Sequence, residues 1–426
     1  MTPFENLTEI SAANPASTRP IGMGGWLMKR LLNRITTGRL RVILPDGASV
    51  EKCGENSGQE ATFIIHRWRA LRRLVLNGDI GFADGYIAGD WSTPDLTALI
   101  RFAAQNRQAL RGSMRGSLPM RLANRLAHSL NANTKNGSRR NIEAHYDLGN
   151  EFYRQWLDPS MLYSSAVFDE TTSTLEDAQA NKLRRITEKL HLSGGETILE
   201  IGCGWGALAT HLAREHDAKV TGITLSPSQL AFANDAVTKA GQSDRIDLRL
   251  QDYRDTRGRF DRIVSIEMFE AVGEAYWPSY FETLKRCLKP GGRAVLQVIS
   301  IDEDRFETYR RKADFIQRYI FPGGFLPSQN AIEKSVEKSG LKLCEKELFG
   351  LSYARTLAEW RLRFDAKWQT IALLGFDDRF RRLWDYYLCY CEAGFAEGAI
   401  DVGFYVIENS ERYQTSSSVE HERGVL

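Results

Sequence analysis

The chain has 426 residues, of which 42% are hydrophobic and 26% are charged, and its formal net charge is +2 at pH 7. This length favours two domains over one small core, and this composition is ordinary for a globular protein rather than a disordered or fibrous one. No apolar run reaches about 18 residues, no secretory signal opens the chain, and the six cysteines lack metal-ligand spacing, so we expect a cytoplasmic protein with reduced thiols and no metal site.

The charge is distributed unevenly along the chain. Residues 1–140 carry a net charge of +10, the remainder carries −8, and the stretch from Leu96 to Ile142 contains nine basic residues without an acid. Such a block predicts an anionic partner, although a solvated basic face remains an alternative. Because leucines interleave with the arginines and no RNA-binding signature accompanies them, an anionic membrane surface is favoured over nucleic acid. The nine residues are Arg101, Arg107, Arg111, Arg115, Arg121, Arg125, Lys135, Arg139 and Arg140.

In chain order, composition divides the protein into five segments. We predict a disordered N-terminus over 1–20, a smaller and mainly helical N-terminal domain over 21–130, a linker over 131–140, a catalytic domain over 141–410 and a polar tail over 411–426. Some short strands are predicted inside the N-terminal domain, and Leu40 to Leu44 is one candidate.

Within the catalytic segment, short apolar runs alternate with helical patterns. This alternation predicts an α/β, doubly wound, Rossmann-like fold, whose ligands bind at the carboxyl ends of parallel strands. Two later strand candidates bracket a helical insertion at about 355–395, and Leu288 to Gly292 is predicted to be a turn before the fifth strand. The predicted strands are Thr197–Ile201, Lys219–Thr224, Ile246–Leu250, Phe260–Ser265, Arg293–Ile299, Leu341–Leu348 and Val402–Ile407.

The most informative motif is TILEIGCGWG, residues 197–206, in which a strand with an acid leads into three glycines at alternate positions. Glycines allow a tight turn and a close approach of the backbone to a ligand. The spacing differs from the dinucleotide fingerprint G-x-G-x-x-G and lacks the Lys-Ser/Thr of a phosphate-binding loop. It resembles motif I of methyltransferases that depend on S-adenosylmethionine (SAM).

Several further motifs occur in an order and spacing that resemble the cyclopropane-fatty-acid synthase family over roughly 140–410. The resemblance implies a SAM-dependent methyltransferase with a mixed seven-stranded sheet closed by a reversed hairpin. Residues 60–100 look like the lipid-binding N-terminal domain of phospholipid-acting members. The motifs are AHYDLGN (144–150), GITLS (222–226), QDYRD (251–255), SIEMFEAVG (265–273), YIFPGG (319–324) and FGLSY (349–353).

The resemblance also implies which residues bind SAM. The turn glycines would hold its methionine end, and Gln229 would contact the ribose because the second strand ends without an acid. Asp252 and Tyr253 would contact the adenine, although Tyr253 could be core packing. The implied cofactor-binding residues are Tyr163, Ser164, Gly202, Gly204, Thr224, Leu225, Gln229, Asp252 and Tyr253.

Methylation of an alkene leaves a positive centre that must lose a proton, and in the resembled family a bound bicarbonate removes it. Carried over by position, its ligands are Glu270, Tyr353 and the backbone of Ile299, while Ser165 and Gln297 replace the usual Cys and His. The His that usually follows the glutamate is Ala271. Ser and Gln still donate hydrogen bonds, but an imidazole is lost, so bicarbonate binding stays open.

The resemblance therefore predicts a methyltransferase acting on the double bond of unsaturated acyl chains of membrane phospholipids. A cyclopropane is the expected product, and a methyl-branched or methylene chain without ring closure is the alternative. Methylation of a small amine and a lipid-binding protein without activity are further alternatives. The resemblance also implies a homodimer associated peripherally with the inner face of the membrane.

Overall fold

The computed structural model of the chain describes residues 23–110, 137–138 and 148–410. The predicted disordered N-terminus, the polar tail, nearly all of the predicted linker and seven of the nine basic residues between Leu96 and Ile142 lie outside the described residues.

A seven-stranded sheet forms the centre of the larger part of the molecule. Its strand order is β10-β11-β9-β8-β5-β6-β7, and five strands are parallel while β11 runs antiparallel to both of its neighbours. This mixed sheet with a reversed hairpin confirms the predicted fold. The strands are β5 (Thr197–Ile201), β6 (Lys219–Thr224), β7 (Ile246–Leu250), β8 (Phe260–Ile266), β9 (Leu288–Ile301), β10 (Lys342–Leu348) and β11 (Ile400–Glu408).

The central strands are apolar because helices cover both faces of the sheet. Strand β5 is buried at four consecutive positions, which is typical of a parallel strand inside an α/β fold. The prediction of a turn at Leu288 to Gly292 was wrong, because β9 begins at Leu288. The register between β8 and β9 shifts there instead, and Gly291 adopts a φ of +72° that accommodates the irregularity.

Helices follow most strands of this sheet, and a helical insertion lies between β10 and β11, as predicted. The helices around the sheet are α5 (Asn150–Arg154), α6 (Leu175–Leu190), α7 (Ala207–His216), α8 (Pro227–Lys239), α9 (Trp277–Cys287), α10 (Glu303–Tyr309), α11 (Phe315–Tyr319) and α12 (Gln329–Lys338). The helices of the insertion are α13 (Gly350–Ala366), α14 (Trp368–Leu373) and α15 (Asp378–Ala396).

The described N-terminal residues form a four-stranded sheet beside helices, with strand order β2-β1-β3-β4. Some short strands were predicted here, and the named candidate, Leu40 to Leu44, overlaps β1; β2 gave no signal because it is almost fully exposed and shows no alternation of buried and exposed positions. The elements are α1 (Met23–Leu32), β1 (Thr37–Ile43), β2 (Ser49–Cys53), β3 (Asn56–Ile65), α2 (Arg69–Ile87), β4 (Trp91–Ser92), α3 (Leu96–Gln105) and α4 (Arg107–Leu110).

The N-terminal helices pack directly on α15 of the insertion. Tyr86 donates a hydrogen bond to Asp385 over 2.6 Å, Thr97 donates to Glu392 over 2.9 Å, and Arg101 pairs with Glu397 over 2.7 Å. A single hydrophobic cluster contains buried residues of α2, α3, α13 and α15. The two parts therefore share a core. No helix among the described residues is long and apolar enough to cross a membrane.

Candidate active site

One cavity of about 1340 Å³ extends from the carboxyl ends of the parallel strands to the N-terminal helices. At the sheet it is lined by the glycine turn after β5, by the end of β6 and by the residues that follow β8. At the other end it is lined by apolar side chains of α2 and α3 and by aromatic residues of α15. A polar end and an apolar end thus belong to the same cavity.

The turn after β5 adopts backbone conformations that glycine favours. Gly202, Gly204 and Gly206 have φ values of +85°, +51° and +86°, and the first of these donates from its N–H to the carbonyl of Ile223 over 2.9 Å. A Cβ added at Gly204 would meet no atom within 4 Å, so the cavity comes directly to its backbone. This open space beside the backbone fits the approach of a cofactor.

The next strand end supplies polar side chains that hold one another in place. Thr224 closes β6 and donates to the side-chain oxygen of Gln229 over 3.1 Å, and both residues line the cavity together with Leu225. Tyr253 also lines the cavity, and its buried hydroxyl has no hydrogen-bond partner among the described residues. Thr224, Leu225, Gln229 and Tyr253 therefore line one cavity, and their binding of SAM stays a prediction.

Asp252 is placed differently from the expectation. Its carboxylate accepts hydrogen bonds from the backbone and side chain of Arg254, including one of 2.6 Å, and it is not among the residues that line the cavity. The carboxylate is therefore engaged by a cation, and it positions the Tyr253–Arg254 turn in this structure.

Tyr163 and Ser164 line the cavity above the glycine turn. The hydroxyl of Tyr163 lies 2.8 Å from the hydroxyl of Tyr387, and the Oγ of Ser164 accepts a hydrogen bond of 2.7 Å from Lys182. Lys182 is fully buried on α6, and its burial lowers the pKa of the ammonium to about 8, while the charges of Glu267 and Asp158 act in the opposite direction.

Two glutamates stand in the cavity after β8. Glu270 accepts a very short hydrogen bond from the backbone N–H of Ile299, and its second oxygen is buried without a partner among the described residues. Enclosure by the protein, followed by the charge of Glu267, raises the pKa of Glu270 to about 8. A carboxyl group with this pKa is mainly protonated at neutral pH.

Glu267 accepts hydrogen bonds from three of the groups that were expected to hold bicarbonate. The N–H of Ser165 and the side-chain amide of Gln297 donate to Oε1 over 2.8 Å and 2.7 Å, and the hydroxyl of Tyr353 donates to Oε2 over 2.8 Å. Ser165 and Gln297 do not line the cavity, whereas Glu267 does. The hydroxyl of Ser165 donates to the carbonyl of Ala166.

Sequence reasoning missed Glu267, Lys182 and Glu200. Glu267 directly follows a parallel strand, which is a position where ligand-binding side chains are common, so its signal was present in the SIEMFEAVG motif. Glu200 belongs to the glycine motif, where burial raises its pKa to about 8. No sequence feature marks Lys182 as a site residue, because it lies in a helix rich in charged residues and its burial is evident only from the fold.

Comparison with known proteins agrees with this geometry. The family model described as mycolic acid cyclopropane synthetase matches residues 133–404. The chain is similar to the tuberculostearic acid methyltransferase UfaA1 of Mycobacterium tuberculosis, with 37% identity over 88% of this chain and 89% of the relative. The chain is also similar to the cyclopropane-fatty-acyl-phospholipid synthase of Escherichia coli, with 35% identity over 76% of this chain and 82% of the relative.

A solved structure shares the fold. The crystal structure of the mycolic acid cyclopropane synthase CmaA1 complexed with SAH and CTAB has a TM-score of 0.60 and 31% identity, and the match covers 63% of this chain and 98% of that chain.

Proposed function

The chain belongs to the mycolic acid cyclopropane synthetase family and is a SAM-dependent methyltransferase, and we propose that it methylates the double bond of an unsaturated fatty acyl chain carried by a membrane phospholipid. The observation that supports this substrate is the shape of the cavity. Apolar side chains such as Leu71, Phe82 and Phe102 line the end opposite the glycine turn, which suits a hydrocarbon chain.

The fit of SAM rests on the polar end of the cavity. The backbone at Gly202 and Gly204 is accessible to the cavity, and Gln229 and Tyr253 offer polar atoms beside it. When bound, SAM supplies an electrophilic methyl group. The chain's own residues would align the alkene with that methyl group and exclude water, which a weak nucleophile requires. Tyr163, Tyr353 and Phe321 place aromatic rings along the cavity, where they would stabilise a positive centre.

Ring closure to a cyclopropane is the product that we propose from the family. A second candidate, a methylated chain without a ring, is supported by two observations. Ser165, Ala271 and Gln297 stand where the resembled family has Cys, His and His, and the relative that matches over 88% of this chain is named a methyltransferase rather than a cyclopropane synthase. The two products differ in the carbon that loses a proton.

The experiment incubates the full chain with SAM and vesicles of a phospholipid that carries a cis-monounsaturated chain. Mass spectrometry should show the addition of one carbon to that chain and none to a saturated control lipid. Proton NMR of the product then distinguishes ring protons at high field from an alkene or a methyl branch. Methylation of small amines without any gain of mass on lipid would contradict the proposal.

Docking on an anionic membrane is the second part of the proposal. The apolar side chains of Trp68, just before α2, and of Val75 and Leu76 on α2 are more than 40% exposed, and Arg72 is exposed in the same helix. The combination of apolar and basic side chains suits a surface that bears phospholipid head groups. Most of the basic block at 96–142 lies outside the described residues and remains a prediction from sequence, as do peripheral attachment at the cytoplasmic face and a homodimer.

Vesicle co-sedimentation tests the docking proposal. Binding to anionic vesicles should weaken as salt rises and after joint neutralisation of Arg111, Arg115 and Arg121, because screening and loss of charge remove the same attraction. Binding that is insensitive to salt would contradict an electrostatic origin. Light scattering in the same buffers reports whether the chain is a dimer.

A further inference from the structure

Glu267 has an unusual backbone conformation for its residue type. Its φ is +48°, in the left-handed region that favours glycine, and it directly follows β8 at the edge of the sheet where the cavity lies. Non-glycine residues held in this region are concentrated at functional sites, because the surrounding structure must offset the strain. The strained backbone places the carboxylate of Glu267 in the cavity.

The donors around Glu267 are oriented toward a negative charge. The backbone N–H of Ser165 and the side-chain amide of Gln297, both in fully buried residues, donate to Oε1 of Glu267. The hydroxyl of Tyr353 donates to Oε2. Three donors leave capacity on Oε2 for a further proton, since an ionised carboxylate has about four acceptor positions. The carboxylate is therefore fixed, and it can still accept a proton from the cavity.

A bound bicarbonate does not fit this arrangement. Ser165 and Gln297 are shielded from the cavity by Glu267, and the N–H of Ile299 already donates to Glu270. Burial raises the pKa of Glu267, against the hydrogen bonds from Ser165, Tyr353 and Gln297 and the charge of Lys182. In its ionised form Glu267 would repel a free anion beside it, which is costly in an enclosed site. Lys182, a buried cation that lines the cavity, donates to Ser164, and its charge acts on Glu267.

We propose that the carboxylate of Glu267 is the proton acceptor of the reaction, an anion built into the chain where the family resemblance implied bicarbonate. This inference rests on the proposed function. The π pair of the alkene bonds to the methyl carbon that SAM would supply, the carbon–sulfur bond breaks with its electron pair going to sulfur so that SAH is the leaving group, and a cation remains on the neighbouring carbon of the chain. A C–H bond then breaks and its proton goes to Oε2 of Glu267. If the bond belongs to the added methyl group, its electron pair bonds to the cationic carbon and closes the ring; if it belongs to a chain carbon next to the cation, the pair forms a new double bond.

Binding of ¹³C-labelled bicarbonate tests the proposal without any need for turnover. The SAH-bound wild-type chain should show no saturable binding by ¹³C NMR, whereas Glu267→Gly should bind the anion, because it frees the donors and leaves space. Glycine also suits a φ of +48°, so this variant is expected to fold. Binding to the wild type, or to neither protein, would overturn the proposal.

The second test measures product formation with and without bicarbonate. Removal of dissolved carbon dioxide and bicarbonate should leave wild-type product formation within about twofold of its normal rate, because the acceptor is part of the chain. Glu267→Gln and Glu267→Gly should each lower it by about 100-fold or more. Only the glycine variant should recover activity with added bicarbonate or formate, since glutamine fills the space. A bicarbonate requirement in the wild type, or normal turnover of Glu267→Gln, would overturn the proposal.

The matched control is Asp385→Asn. Asp385 is also an enclosed carboxylate that accepts a hydrogen bond from a tyrosine, over 2.6 Å from Tyr86, but it does not line the cavity. This variant should keep normal turnover. If the wild type adds no carbon to any lipid, the proposed function fails, and the bicarbonate-binding arm still decides the role of Glu267.

Discussion

The two ends of the cavity are built on different physical principles. The sheet end consists of strand ends and the glycine turn, where backbone groups and carboxylates lie in positions set by the hydrogen-bonded sheet. The opposite end consists of apolar side chains from α2, α3 and α15, which are far apart in sequence and meet only because one hydrophobic core joins them. We infer that the sheet end sets the chemistry and that the packed end selects the substrate.

The largest expected effect comes from Gly202→Val, which tests the sheet end. A Cβ at this position would lie 3.1 Å from the side chain of Met268, and φ is +85°, so valine combines a steric conflict with backbone strain. We expect SAM affinity to weaken by about 100-fold or more, equivalent to about 2.8 kcal/mol by calorimetric titration. The control is Gly258→Val, which has a positive φ of +97° but no neighbour within 4 Å. Equal SAM affinity in both variants would contradict a cofactor site at this turn.

Ala103→Trp tests the packed end. Ala103 on α3 lines the cavity, and a tryptophan there would occupy space proposed for the acyl chain. Methylation of lipid should fall about tenfold or more, while the dissociation constant of SAM stays unchanged. Ala366→Trp, at an exposed position at the end of α13, is the matched control. A parallel loss of SAM binding would show that the two ends are not separable.

Tyr353→Phe tests the contact between the insertion and the sheet end. The change removes the hydroxyl that donates to Oε2 of Glu267 over 2.8 Å. Hydrogen bonds to charged groups contribute about 1.5–3 kcal/mol, so turnover should fall by about 10- to 100-fold without a change in SAM affinity. Tyr405→Phe, a fully buried tyrosine of β11 outside the cavity, should leave turnover unchanged. Unchanged turnover in Tyr353→Phe would show that this hydroxyl does not contribute to the reaction.

The effect expected to be smallest on catalysis is a pH dependence of stability caused by Glu270. Its pKa rises from 4.5 in the unfolded chain to about 8 in the fold, so the folded state retains a proton that the unfolded state releases between these values. Its stabilising contribution is complete below pH 4.5 and is lost as pH rises through 8. Glu270→Gln does not titrate, so its free energy of unfolding relative to wild type should increase from pH 5 to pH 8, by at most about 1.4 kcal/mol per pH unit.

Urea unfolding at four pH values measures this slope. The control is Glu176→Gln, because the hydrogen bonds from Arg363 lower the pKa of Glu176, so its stabilising contribution is lost only as pH falls below the window tested. A flat difference between wild type and Glu270→Gln would show that Glu270 titrates in the fold as it does in the unfolded chain.

Features that depend on residues close together in the sequence were predicted, whereas features that depend on contacts between distant residues were not. Strands β5, β6 and β7 begin and end at the predicted residues, because runs of β-branched and apolar residues between turns are local signals. Exposed β2 gave no such signal. Among the site residues, those of the glycine turn were predicted from a continuous motif. Glu267 was missed because its importance depends on donors from Ser165, Gln297 and Tyr353, which lie up to 102 residues away in sequence.

The sequence by itself determined the alternation of strands and helices, the glycine turn after β5, and the uneven charge. These features depend on residues close together in the chain, where backbone preference and periodicity act directly. Only the tertiary structure decided that the N-terminal helices complete the cavity, that Lys182 is buried, and that Glu267 rather than Glu270 receives the donors. Burial and hydrogen bonding between distant segments arise when the core closes, and together they set the pKa values of the enclosed acids.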